Sequence, residues 1–514
     1  MRRTRRSTRP RRPAGTGSSW PRRPRTARRT GSDLRSCIVA ALLLATATSV
    51  EPLSAAPLET FTAPALWEAW PSVRISPADP YTLKHAQVHA AIEVLARDYP
   101  GLFTVAAEGR SGEGRSLSVL KLGSGPTGVF LWSQMHGDEP TATGALLDVL
   151  NYLGRHRESA AVSRLLSRLT IYLLPMLNPD GAERTTRRNV QGIDINRDAL
   201  RLQTPEGRFL KSVRDRFRPA IGFNLHNQSP LTVAGKGGDQ VALALLSVPY
   251  DASSAENEGR RTTKRIAVFL REFLAPWASG KIARYDMDYT ARAFGDSMTR
   301  WGTPTLLIES GGWNGGDEAG TLVRLNFTGL LGVLQAIADG SLSSIDPKAY
   351  DAIPLLEREG LFDVVLRGAM VANGSGLPPC LADVALARPS LFSGFGPRAR
   401  PGVADLGDLA DFRGKEETDL TGRLLVPAPP GGEKGWQKVL ASLRSRKLAD
   451  QAGTLLLSPD LLSAEVKAWM PEGQILSAGY SGALLILSPA GDGRLRLERR
   501  IETGPAAPGR GPRP

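Results

Sequence analysis

The sequence predicts an α/β fold: a mixed, mostly parallel central sheet with helices on both faces, plus a smaller β-rich C-terminal domain. Three observations carry this. Over residues 81–345 short continuous apolar runs alternate with longer stretches of helical spacing, the pattern of strands buried on both faces. After about Ile345 the helical stretches thin out, and Gly, Pro and Asp punctuate short apolar runs. Across 514 residues, 41% are hydrophobic, which excludes a wholly disordered chain and allows a sizeable core.

The N-terminal segment is of a different kind. Residues 1–56 hold thirteen Arg against Asp33 and Glu51, leaving 52 basic and 49 acidic residues elsewhere. The formal charge of +14 therefore belongs mostly to this segment, and a nucleic-acid role for the body loses its support. An Arg-, Pro- and Ser-rich stretch precedes an apolar run, Cys37 to Ala47, and small residues follow at Ser54, Ala55 and Ala56. That order reads as a basic region and secretory signal peptide, with a disordered arm plus membrane anchor as the alternative. The expected location is secreted or periplasmic, with no stable membrane insertion after signal removal. Only Cys37 and Cys380 are present, so loss of the signal leaves no internal disulfide and excludes zinc sites built mainly from cysteines.

Residues 57–80 read as a Pro-rich connector. Helical spacing follows over Tyr81–Tyr99, with Leu83, Ala86, Val88 or Ala90, Ile92, Val94 and Leu95 on its apolar side. Strands are expected at Phe103–Ala107, Leu117–Leu122, Val129–Ser133, Leu169–Leu174, Ile221–Leu225 and Thr305–Ile308. Helices are expected at Ala142–Tyr152, Ser159–Ser167, Glu206–Arg216, Arg260–Phe273 and Thr321–Ala338. Residues 346–502 read as the β-rich accessory domain, with short runs Leu361–Arg367, Arg423–Val426, Thr454–Leu457 and Ala483–Leu487 and one helix at Gly435–Arg444. Residues 503–514 read as a disordered tail.

Two of the five histidines follow expected strands. His136 lies in Met135-His136-Gly137-Asp138-Glu139-Pro140, and His226 in Asn224-Leu225-His226-Asn227-Gln228. Two neutral imidazoles and a carboxylate are what a catalytic zinc ion takes, with a fourth position left for water. His136 and Glu139, three apart at a helix start, can converge on one ion. The alternative is a pair of ordinary strand-end histidines bonded to backbone. Asn178-Pro179-Asp180-Gly181 reads as a turn. The segment Thr186-Arg187-Arg188-Asn189 through Gly192-Ile193-Asp194-Ile195-Asn196-Arg197 carries arginines that fit either a surface or a fork for a carboxylate. Glu309 directly follows a buried strand, where a charge is costly unless paired or working.

These segments, together with Gly109-Arg110-Ser111-Gly112-Glu113-Gly114-Arg115-Ser116-Leu117, resemble the zinc metallocarboxypeptidase family, the carboxypeptidase A-like peptidases, in a bacterial exported form. The resemblance runs from about Tyr81 to Asp339. It implies a zinc carboxypeptidase-like fold over 81–345 and one zinc ion per chain on His136, Glu139 and His226. It also implies Glu309 as general base, and Arg187, with Arg188 competing, as the group that polarises the scissile carbonyl. Asn196 and Arg197 would hold a substrate's terminal carboxylate, and Asp194 would orient His136. A basic residue of the digestive members is replaced by Asp138, and either Tyr285 or Tyr289 stands where a substrate tyrosine is expected. The implied partner is a peptide with a free C-terminus. The implied activity is exported carboxypeptidase hydrolysis, with a zinc amidase or deacylase on cell-wall peptides or acyl-amino acids as the alternative. A non-catalytic binding module would need a broken ligand or base, and none is visible.

Overall fold

The computed structural model describes residues 61–504, apart from 287, 359–360, 389–399 and 492–493. The expected signal peptide and most of the expected tail lie outside the described residues. Seventeen strands are named in chain order: β1 Phe103–Arg110, β2 Ser116–Leu122, β3 Thr127–Ser133, β4 Leu169–Leu174, β5 Ile221–Asn227, β6 Val233–Ala234, β7 Leu243–Ser247, β8 Ile282–Arg284 and β9 Thr305–Ser310 belong to the first part. β10 Leu356–Glu357, β11 Leu361–Val371, β12 Cys380–Ala387, β13 Gly402–Gly407, β14 Arg413–Asp419, β15 Leu424–Pro427, β16 Leu484–Pro489 and β17 Leu495–Ile501 follow.

The central sheet runs β1-β2-β4-β3-β5-β9-β7-β8. The pairs β4–β3, β3–β5, β5–β9 and β7–β8 are parallel, and the rest antiparallel. The alternation of side chains along β3 shows why both faces need cover. Val129 and Leu131 enter a core with helices Thr141–Arg155, Glu258–Phe273 and Glu318–Asp339, whereas Phe130 and Trp132 pack with helices Pro205–Phe217 and Phe294–Arg300. Helix Glu318–Asp339 is long and apolar enough to cross a membrane by length and composition, yet most of it is buried in this core.

Several elements differ from the sequence expectation. β7 and β8 are absent from it; Leu243–Ser247 and Ile282–Arg284 are only five and three residues long. The expected helix over Tyr81–Tyr99 begins only at His85, after a short turn at Pro80–Thr82, and Ala86 and Val94 face outward while Val88 and Leu95 are buried. The expected connector 57–80 contains the helix Ala63–Val73, with Pro71 inside its last turn. Its Leu66, Trp70 and Val73 are buried, and Trp67 stacks on Trp277 at 4.3 Å. The Pro-rich composition masked it, although Pro64 sits in the first turn, where its missing N–H is harmless.

Asp148 ties that helix down. Its carboxylate is fully buried and accepts Trp70 Nε1 at 2.9 Å, and Ile75 N, Ser76 N and Ser76 Oγ each at 2.8 Å.

The C-terminal part is a seven-stranded sheet, in order β13-β12-β11-β15-β16-β17 with β14 beside β11. It carries two helices, Gly432–Ser445 and Pro459–Trp469, where one was expected. The expected run Thr454–Leu457 forms only isolated bridges through Leu455. Leu231, from the loop after β5, packs into the core of this second sheet with Phe362, Val365, Ala385, Ala387 and Leu409. Lys415 reaches Glu318 at 3.3 Å.

Substituting Asp148→Ala strands four donors, and the expected cost is about 3 kcal/mol of stability, given roughly 1–3 kcal/mol per orphaned group and partial relief by water. Urea denaturation of the full chain reads it. An unchanged midpoint would show that the N-terminal helix is not tied to the core.

Candidate metal centre

β3 and β5 are parallel neighbours, with Ser133 opposite Leu225, so the residues just beyond their carboxyl ends emerge side by side. At the end of β3 the chain turns through Gln134, whose φ of 52° lies in the left-handed region. Gln134 is held there: its Nε2 donates to Gly137 O at 3.0 Å, and its Oε1 accepts from Thr143 Oγ1 at 2.8 Å. Gly137 has no alternative, since a Cβ there would lie 2.0 Å from the backbone of Gly181. Asn178-Pro179-Asp180-Gly181 is therefore more than the turn its composition suggests. It opens the short helix Pro179–Arg184, capped by Asn178, and Asn178 Nδ2 donates back to Met135 O at 3.2 Å. The His136 loop is pressed between these groups.

His136, Glu139 and His226 come together, each buried, with one ligand atom from each within 4.8 Å of the others. Glu139 takes the middle: Oε1 is 2.8 Å from His136 Nδ1, and Oε2 is 2.7 Å from His226 Nδ1. The two Nδ1 atoms are 3.1 Å apart. A tetrahedral zinc ion with nitrogen bonds of about 2.0–2.1 Å needs nitrogens roughly 3.3 Å apart, so the donor set fits it with little adjustment. The chemistry fits as well. His136 Nε2 meets Asp194 Oδ1 at 3.0 Å, the carboxylate contact that fixes a metal-ligating imidazole with its other nitrogen turned to the ion. Asn227 N donates to Glu139 Oε2 at 3.1 Å, and Asn227 Nδ2 binds Thr141 Oγ1 at 2.6 Å, so the acid is held from behind.

Glu309 stands directly opposite His226 in the parallel β5–β9 register, which puts both side chains on one face of the sheet. Its Oε2 is sealed from solvent with no hydrogen-bond partner. Burial pushes the Glu309 carboxyl well above the usual range, and the Glu139 charge adds to the rise. Burial also works on Glu139, but the two imidazoles outweigh it and hold that acid below the usual carboxylate range. Burial likewise opposes ionisation of Asp194, and the His136 bond with Arg187 and Arg197 outweighs it. Asp138 is pushed up to about 7, by burial first and then by Glu139.

Of the two competing arginines, the fold brings Arg187 to this group. Its Nε donates to Asp194 Oδ2 at 3.0 Å, and Nη1 lies 3.2 Å from Glu139 Oε1. Arg188, named with it from sequence, is not brought there: it is exposed, and its Nη1 donates to Gly192 O at 3.1 Å. Asn196 Oδ1 accepts from Phe294 N at 2.9 Å, and Arg197 Nη1 donates to Asn196 O at 2.7 Å. Burial depresses the Arg197 guanidinium, with Asp194 opposing that effect. Tyr285 follows β8 and packs with Leu246, Val248 and Leu307, whereas the Tyr289 hydroxyl accepts from Arg300 at 3.3 Å.

Two positioning acids escaped sequence reasoning. Asp180 accepts Ser111 Oγ and Glu113 N, each at 2.8 Å. Glu206 accepts Gly112 N at 2.9 Å and Asn189 Nδ2 at 3.1 Å. Together they tie residues 109–116 to the loop bearing Arg187 and Asp194. Asp180 was visible in its motif as a turn residue only. Glu206 is the first residue of the expected helix Glu206–Arg216, and nothing in its neighbourhood marks it as buried.

Comparison with known proteins agrees in kind. Residues 88–200 match the family model described as zinc carboxypeptidase. Carboxypeptidase D of Drosophila melanogaster is 29% identical over 202 residues, 35% of this chain and 14% of that protein. Carboxypeptidase 2 of Trichophyton tonsurans is 33% identical over 109 residues, covering 21% of this chain and 20% of that one. The chain thus spans a fifth or less of the length of these two relatives. A metallo-carboxypeptidase structure from Burkholderia cenocepacia aligns at a TM-score of 0.40 and 19% identity, over 50% of this chain and 69% of that one.

Replacing Asp194 by Asn keeps the shape but removes the charge that fixes His136. The expected result is a loss of about 10–100-fold in zinc affinity, read by competition with a chromogenic chelator. Unaltered affinity would mean that Asp194 does not serve the ligand.

Proposed function

From the zinc carboxypeptidase domain that residues 88–200 carry, we propose that this chain hydrolyses the last peptide bond of peptides with a free C-terminus. The observation that carries the reading is the convergence of His136, Glu139 and His226, with Glu309 in register beside His226. Zinc bound by those three residues supplies a Lewis acid for the carbonyl oxygen and brings the pKa of water towards about 7.

The remaining work falls to the chain's own side chains. Glu309 takes the proton of the attacking water and later delivers it to the leaving amine. A carboxylate whose basicity is raised by burial is suited to both steps. Arg187 lies beside the ligands on Asp194, and its guanidinium meets the negative charge that develops on the carbonyl oxygen. Arg197 and Asn196 receive the terminal carboxylate. Their backbone is pinned by Asp194, whose Oδ1 accepts Asn196 N at 2.9 Å, so one acid orients both the ligand His136 and the substrate-binding pair. The reading includes export: residues 1–56 have the order of a basic region, an apolar run and small residues that a secretory leader has.

Chelation is expected to abolish cleavage and added zinc to restore it. Glu309→Gln should lower kcat by about 10²–10⁴ while zinc content is retained. C-terminal amidation should block cleavage of the same peptides. Wild-type rates in Glu309→Gln, or equal rates on amidated peptides, would overturn the assignment. Cleavage of muropeptides or acyl-amino acids with no cleavage of free peptides would place the chain among amidases instead.

A further inference from the structure

We propose that Arg358, on the segment leading from the catalytic sheet into the C-terminal one, is a specificity-determining residue that selects substrates whose terminal residue carries an acidic side chain. This deepens the proposed function and rests on it.

The argument begins with one row of side chains. His226 is opposite Glu309, Glu309 opposite Ala244, and Ala244 opposite Ala283, across the four adjacent strands β5, β9, β7 and β8. Paired residues share a sheet face, so the row begins with a ligand, continues with the base and ends in two methyl groups. Beside Glu309, away from the ligands, the face is therefore shallow and apolar. Tyr285, two residues after Ala283, emerges on the same face and packs with Ala234, Val241, Ala244, Ala283 and Leu356.

Leu356 comes from outside the catalytic sheet. β10 pairs antiparallel with β6, Leu356 against Ala234. Gly235 N donates to Leu355 O at 2.7 Å, and Arg284 N to Pro354 O at 2.8 Å. Backbone bonds thus seat this segment against the end of β8 and the loop after His226, and Arg358 follows at once. Its guanidinium carbon lies 5.5 Å from the centre of the Tyr285 ring, the arrangement of a cation on an aromatic face. Among the described residues no carboxylate lies within 4.0 Å of it. Its charge is nevertheless felt at Glu309, where it opposes the upward push of burial and of Glu139. An exposed cation parked on a tyrosine, beside an apolar shelf and a catalytic acid, is a fork for an incoming carboxylate. Arg197 is assigned to the substrate's backbone carboxylate, which leaves Arg358 for a side-chain acid.

The test uses N-acylated dipeptides ending in Glu, Gln or Lys, with the full-length protein and its Arg358→Gln and Arg358→Lys variants. Wild type is expected to favour Glu over Gln in kcat/KM by about tenfold or more. Arg358→Gln should collapse that ratio through KM for the Glu substrate, and Arg358→Lys should recover part of it. An unchanged ratio, or equal losses on all substrates, overturns the inference and leaves the peptidase reading standing. Absence of any hydrolysis by wild type sinks the peptidase reading itself. Arg358 is then judged by calorimetry of Glu- and Gln-ended dipeptides on the Glu309→Gln protein, where equal affinities overturn the assignment.

Discussion

A single carboxylate, Glu139, has an imidazole on each oxygen, and much of the surrounding architecture serves to hold it so. A buried acid between two buried histidines is expensive to desolvate and is tolerated only when charge and geometry match. The parallel pairing of β3 and β5 brings the two histidines to the same end of the sheet from points ninety residues apart. The Gln134 bend, the close contact of Gly137 with Gly181 and the Asn227 bonds then remove the remaining freedom. Each is a backbone or amide contact, which resists drift better than a flexible charged side chain would.

Further out, acids do the positioning. Asp194 binds His136, Arg187 and the backbone of Asn196, so three groups of the site meet on one carboxylate. Asp180 and Glu206 hold the two loops that frame it. Such shared partners make the contributions of these residues strongly non-additive.

The sequence made several strands of the catalytic sheet legible as continuous apolar runs, though not β7: Leu169–Leu174 matches β4 end to end, and Ile221 begins β5 as expected. It also marked the group His136, Glu139 and His226 that the fold brings together, because strand-end histidines are conspicuous in a chain with five of them. What escaped it was set by tertiary contacts. β8 is only three residues long and exists because β7 offers an edge. Helix Ala63–Val73 was hidden by prolines whose effect depends on position in the helix. Arg187 and Arg188 are indistinguishable on paper, and the loop's path alone decides which faces inward. Arg358 carries no local signal at all, since its relevance comes from β10 pairing with β6.

Leu231 sits on the loop that follows ligand His226, yet its side chain completes the core of the second sheet. The second sheet consequently owes part of its interior to a loop of the catalytic part and cannot be fully packed without it. A chain cut after Ile345 would bare this leucine to water and slacken the very stretch that extends from the histidine. The two halves should therefore melt in one cooperative transition, and evolution could not shuffle the C-terminal sheet onto a different enzyme without rebuilding that loop.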